Sequence, residues 1–164
     1  MDIGDALVWL QSTAIARTIA ENEVLFPWIE SIHVLAIVLV VGTISIVDLR
    51  LLCIASVGRS VSQILHDVLP LTWGAFALAA LAGALMFSSN ATTYGNNFFF
   101  RGKLVLLSLA GLNMAAFHLL GSRDIVHWER GRQTSPGAKL AGAVSLVIWV
   151  SVVVFGRWTG FTLH

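Results

Sequence analysis

Four long apolar runs, parted by shorter polar stretches, set the hydrophobic pattern of the chain: residues 27–52, 69–87, 98–120 and 140–158. Crossing a bilayer core of about 30 Å takes roughly 20 mainly apolar residues of α-helix, and each run is of that order. The first opens at Pro27, a residue suited to a helix N-terminus. Ahead of the runs, Ile3, Leu7, Leu10 and Ala14 recur at helical spacing behind the acidic pair Asp2 and Asp5. That spacing predicts an amphipathic helix over residues 1–20, lying at the interface with Trp9 at headgroup depth rather than being cleaved as a leader. Packing of this helix on the bundle for stability fits the pattern equally well. Ser60 and Gln63 stand at capping-box spacing, so the second helix is expected to start before its apolar run and to bend at Pro70. The fold class is therefore an all-α membrane protein, a four-transmembrane-helix bundle with an N-terminal amphipathic interfacial helix, forming a single domain over residues 1–164.

Composition agrees. Hydrophobic residues make up 57% of the 164 and charged ones 12%, against about 25% charged in a soluble domain, and the mean hydropathy is +0.82. A net charge of +1 gives no footprint for nucleic acid. A single cysteine, Cys53, excludes an intrachain disulfide framework and a thiolate metal cluster. The connections after runs one and three carry Arg50, Arg59, Arg123, Arg130, Arg132 and Lys139; the opposite side carries Arg17, Arg101, Lys103 and Arg157. That bias puts the first set in the cytoplasm and both termini on the outer side of the membrane. The 121–139 stretch, which supplies most of the bias, reads as a long polar loop. Residues 88–100 read as a turn-rich loop whose three phenylalanines seat it at the interface.

Small residues mark the expected helix contacts, because close backbone approach drives much of helix association in lipid. Ala75, Ala79 and Gly83 repeat every four residues in run two; Gly111, Ala115 and His118 form a stripe in run three; Gly142, Ser145, Trp149 and Gly156 do so in run four.

Candidate chemistry lies with the histidines, since ionisable groups inside a span are costly and commonly functional. His127 and His164 read as solvated. His33 stands about 9 Å past Pro27 and His118 about 22 Å past Lys103, at 1.5 Å per residue. On a continuous second helix His66 shares a face with Pro70, Trp73, Ala77, Ala80 and Ala84, and a depth with His118. Imidazoles beside small residues leave space for a flat cofactor, and heme b with histidine axial ligands fits. His66 and His118 form one ligand pair; His33 serves a second heme, with Arg101 and Lys103 near its propionates. One or two hemes per chain are expected, with His33, His66 and His118 as the metal ligands and Trp73 against the cofactor. The plain alternatives are histidines hydrogen-bonded to Ser31, Asn113 or a backbone carbonyl, and basic residues that anchor helix ends by snorkelling. Asp48 and Cys53 are the extra candidate groups in or beside run one, and Asp48 pairs with Arg50 or a helix end on the plain reading.

The segments Trp28-Ile-Glu-Ser-Ile-His33 and Asp48-Leu-Arg-Leu-Leu52 resemble an uncharacterised family of small bacterial inner-membrane proteins. Further matching pieces are Pro70 with Gly74, Tyr94 with Asn97 and Lys103, and Gly111-Leu-Asn113 with Phe117-His118. That family is distantly similar to the membrane domains of copper-resistance proteins and to four-helix b-type cytochromes. The resemblance implies a four-helix bundle and makes histidine-ligated heme a reasonable cofactor; it implies no reaction. The position on the same helix where such cytochromes often carry a second histidine falls here at Ile46 and Val47.

Three functions follow as expectations. The first is a heme b membrane protein for electron transfer or redox sensing, with an unidentified redox partner. The second is a transporter or channel subunit whose histidines handle protons or metal ions, with Thr43, Ser45, Asp48, Ser108 and Asn113 lining a path. The third is a structural subunit of a membrane complex or homo-oligomer. Catalysis is the least supported, since no nucleophile, base and oxyanion set can be assembled.

Overall fold

A computed structural model describes residues 2–56, 58, 60–128 and 134–162, the side chains at 118 and 120–128 excepted. Among the described residues the chain forms seven helices: α1 (Ile3–Gln11), α2 (Ala14–Glu21), α3 (Leu25–Leu51), α4 (Val61–Ser89), α5 (Ala91–Asn96), α6 (Phe98–Trp128) and α7 (Pro136–Phe161). Four stretches are long and apolar enough to cross a membrane: Leu25–Leu51, Val61–Ser89, Phe98–Phe117 and Pro136–Phe161. Their outward faces carry Leu35, Leu81, Leu112 and Val147, each more than half exposed. Apolar side chains on the outside as well as the inside mark a bundle whose solvent is lipid. This is a multi-pass membrane protein.

Local chemistry sets most boundaries. The Ser60 hydroxyl accepts from the Gln63 N–H at 3.2 Å and starts α4 well before its apolar run, as the capping spacing predicts. Pro70 falls inside α4 without ending it. Ser135 caps α7 in the same way, with Pro136 at its first position. The expected single N-terminal helix is instead two. Thr13 turns its hydroxyl to the Leu10 carbonyl and accepts from the Ala16 N–H, closing α1 and opening α2. α1 leaves Ile3, Val8 and Trp9 exposed, whereas α2 packs Ile19 against Ile29 and Ala82 of the bundle.

Two expected loops are shorter than their polarity suggested. α6 stays helical to Trp128, so the connection to α7 covers only 129–135. Residues 88–100 contain α5, whose Tyr94 is buried. Phe87 and Phe100 stack at 5.2 Å, and Tyr94 sits 5.5 Å from Phe100. Those aromatics serve an internal cluster, while Phe98 remains exposed. Gln11 of α1 accepts from the Thr92 hydroxyl at 2.9 Å and ties the two elements together.

α3 lies at the centre, packed along its length on α4 and also on α7, while α6 packs on α7. On α4, Ala75 and Ala79 of the small-residue repeat are buried and its Gly83 meets His33 of α3, while Ala82, outside the repeat, is buried as well. On α7, Gly142 lets the helix close onto α3. A Cβ there would sit 3.1 Å from the Asp48 carbonyl oxygen and 3.2 Å from the Leu51 Cβ. Gly102 of α6 likewise receives the Phe155 ring of α7. The α6 stripe behaves differently: Gly111 and Ala115 are exposed, because α6 and α4 barely touch. That missing contact shapes the site.

Candidate functional site

Where α4 and α6 stand apart, a cavity of about 190 Å³ opens among all four spans. An apolar cavity of about 150 Å³ holds a benzene molecule, so this one has room for a small organic solute. α3 contributes Val40 to Leu51, α4 Leu65 to Phe76, α6 Leu107 to Phe117, and α7 Ala141, Ser145 and Trp149. The wall is mainly aliphatic and aromatic. Trp73, Phe76 and Met114 line it while remaining partly exposed, so the mouth lies between α4 and α6.

Four polar groups interrupt that wall. Asn113 donates from Nδ2 to the Ala141 carbonyl at 3.1 Å and ties α6 to α7. Thr72 donates to Thr43 at 2.8 Å, and Thr43 in turn bonds the Leu39 carbonyl at 2.7 Å, which ties α4 to α3. The Ser145 hydroxyl of α7 hydrogen-bonds the Asp48 carboxylate of α3. Asp48 is 4% exposed, and its Oδ2 is buried with no hydrogen-bond partner among the described residues. Buried polar atoms are paired in the great majority of cases, and an ionised carboxylate in such a setting demands a counter-charge. A proton or a bound cation satisfies it.

The other end of α3 is arranged differently. Nδ1 of His33 lies 2.7 Å from the Ala79 carbonyl of α4. A carbonyl only accepts, so Nδ1 carries the proton and Nε2 keeps its lone pair. The ring lies over Gly83, where a Cβ would come within 2.9 Å of its Cε1. Lys103 of α6 is near enough to act electrostatically on His33, and its ammonium stands 5.1 Å from the Phe100 ring centre. Beside this cluster, burial first and the Glu30 carboxylate second push the Tyr94 phenol above its ordinary pKa.

The sequence-derived candidates therefore disperse. His33 takes the backbone-carbonyl partner named among the plain alternatives. His66 projects from the outer surface of α4, its side chain 91% exposed and 3.8 Å from Asp67. The face it shares with Pro70, Ala77, Ala80 and Ala84 points away from the bundle, because Ala75, Ala79 and Ala82 occupy the inward side. Trp73, at the edge of that face, is the one residue of it that reaches the cavity. His118 stands on α6 one turn past Met114, and its side chain lies outside the described residues, as do the side chain of His127 and the whole of Arg59 and His164. Arg101 is exposed. Of the second reading's path, Thr43 and Asp48 are buried, and Asp48 and Asn113 line the cavity, whereas Ser108 faces outward. No group of three His, Cys, Asp or Glu suited to a metal ion occurs among the described residues. Thr72 and Ser145 were missed as site residues. The available signal was Asp48 itself, an acid inside an apolar run.

At the loop end, Cys53 (φ 60°) contacts the Thr134 hydroxyl at 3.4 Å. That hydrogen bond, reinforced by Lys139 and Arg50, lowers the thiol pKa against a smaller opposing effect of burial.

These features define a class: a four-span helical membrane protein with a cavity open between two of its helices and a buried acid in its wall. The chain belongs to the family of unknown function DUF6644, whose model matches residues 9–162. No curated protein and no solved structure matches it.

Proposed function

We propose that this protein is a carrier or channel subunit in which Asp48, rather than a histidine, holds the proton or small cation being moved. The observation that carries the reading is a buried carboxylate in the wall of a cavity bounded by all four spans, its Oδ2 without a hydrogen-bond partner among the described residues. An intramembrane acid is expensive and marks an ion or proton path in many membrane proteins. Ser145 supplies one hydrogen bond, and the remaining acceptor is left for the cargo. The test is cation-driven proton flux in proteoliposomes containing the full chain. The reading expects flux above protein-free vesicles and its loss in Asp48→Asn; equal flux in all three preparations overturns it.

A second reading keeps heme b, in electron transfer or redox sensing. What favours it is the tautomer of His33: with Nδ1–H committed to the Ala79 carbonyl, Nε2 would be the nitrogen to ligate, the arrangement usual for metal-bound imidazole. Lys103, which acts electrostatically on His33, would be the cation to meet a propionate. A Soret band in protein made with ample heme, altered by His33→Ala, supports this reading. A colourless folded preparation ends it.

A further inference from the structure

The geometry points to a small organic ammonium ion as the ligand of the α4–α6 cavity, its charge set against Asp48 and its apolar body among the aromatic side chains. This inference rests on the reading of Asp48 as a cation-holding group and adds the chemical class of the cargo. Three observations converge on it.

The first is the charge. Asp48 is 4% exposed and belongs to the cavity wall, and its Oδ2 is buried with no hydrogen-bond partner among the described residues. Among the described residues, no lysine or arginine lines the cavity to act as a counter-ion. The second is the wall. Trp73, Phe76, Phe117 and Trp149 belong to it, and aromatic faces attract desolvated cations, quaternary ammonium ions above all. The third is the size and donor set. A hard metal ion takes about six or more oxygen ligands, whereas among the described residues Asp48 is the one carboxylate in this wall and no ligand cluster stands beside it. A bare ion would leave most of about 190 Å³ unfilled. An amine carrying one ring or a short branched chain fills that space and satisfies the carboxylate together.

The experiment measures equilibrium binding of labelled benzyltrimethylammonium to the detergent-purified full chain, with neopentylbenzene as its uncharged isostere in competition. The quaternary ion keeps its charge at every pH. Binding is expected to saturate at one site, to resist the neutral isostere, and to weaken by about thirtyfold or more in Asp48→Asn, since a charge pair in a desolvated wall is broken. Gly111→Phe is the second variant. Gly111 lines the cavity with nothing within 4 Å of its Cβ position, so the new ring fills the space and leaves the acid in place. This variant is expected to abolish binding. Equal affinity for the isostere, or full affinity in either variant, overturns the inference and leaves a merely apolar cavity. If the ammonium ion fails to bind while Asp48-dependent proton flux persists, this inference falls and the carrier reading stands. If both are absent, both fall.

Discussion

The two ends of α3 solve the burial of an ionisable side chain in opposite ways. At one end His33 is wedged over Gly83, with a 2.7 Å bond to the facing helix. At the other, about 22 Å along the helix at 1.5 Å per residue, Asp48 has a partner on α7 and a second oxygen that is buried beside the cavity with no hydrogen-bond partner among the described residues. The first arrangement is finished by the fold alone. The second is left incomplete because α6 packs on α7 and leaves α4. A buried polar group with its needs met contributes to stability; one with an unmet need points to something that arrives later. Such sites commonly give up stability for function.

That contrast is open to test by substitution. The largest loss is expected from Gly142→Val, which forces side-chain atoms into the α7–α3 contact, 3.1 Å from the Asp48 carbonyl oxygen. Overpacking of this kind costs about 1–3 kcal/mol or more, read as a lowered Tm of the detergent-solubilised protein. An unchanged Tm would mean that α7 does not close on α3 as described. His33→Ala should follow, losing about 1–3 kcal/mol through one interhelix hydrogen bond and a vacated ring. If His33 were a surface bystander its removal would leave the melting curve alone. Gly83→Ala should do less. The new Cβ meets the imidazole at 2.9 Å and displaces it, but alanine regains up to about 1 kcal/mol of helix propensity. Its signature is a shifted His33 imidazole resonance rather than a large change in Tm.

Asp48→Asn is expected to fall at the bottom of the stability order, neutral or slightly stabilising, since replacing a buried unmatched acid by a neutral isostere removes a desolvation cost. A loss as large as that of His33→Ala would erase the difference between the two ends. The smallest effect concerns Cys53, at the loop end of the molecule. Its thiol pKa lies below that of an ordinary cysteine, so at a pH under that ordinary value more of it is thiolate. Alkylation should outpace that of a model thiol there and slow in Thr134→Val, which lacks the hydroxyl bond. Identical pH–rate profiles for the two proteins would remove Thr134 from that role.

Much of the fold was legible in the sequence, because span length and hydropathy are set by bilayer thickness and need no tertiary information. The early start of α4 was legible too, from Ser60 and Gln63. The break at Thr13 was not: one hydroxyl outweighs an amphipathic spacing only when it caps a new helix, and Thr13 carries no other mark. The site was less legible still. Three histidines drew attention because imidazole serves so many chemistries, yet face assignment on α4 turned on which alanines met α3. Ala75, Ala79 and Ala82 won that position and left His66 outside. Asp48 was visible as an acid in an apolar run. What no local pattern states is that α4 and α6 stay apart, since this depends on α6 preferring α7 through Gly102 and Asn113.

The gap between those two helices also decides how a guest travels. With Trp73, Phe76 and Met114 half-open at the rim, the doorway faces acyl chains sideways rather than an aqueous vestibule above or below. On the proposed reading, a molecule dissolved in the leaflet would meet the acid by two-dimensional diffusion. Occupancy is then governed by how strongly the guest partitions into the bilayer, and two amines of equal intrinsic fit but different lipophilicity would load the protein to very different extents at the same concentration in water.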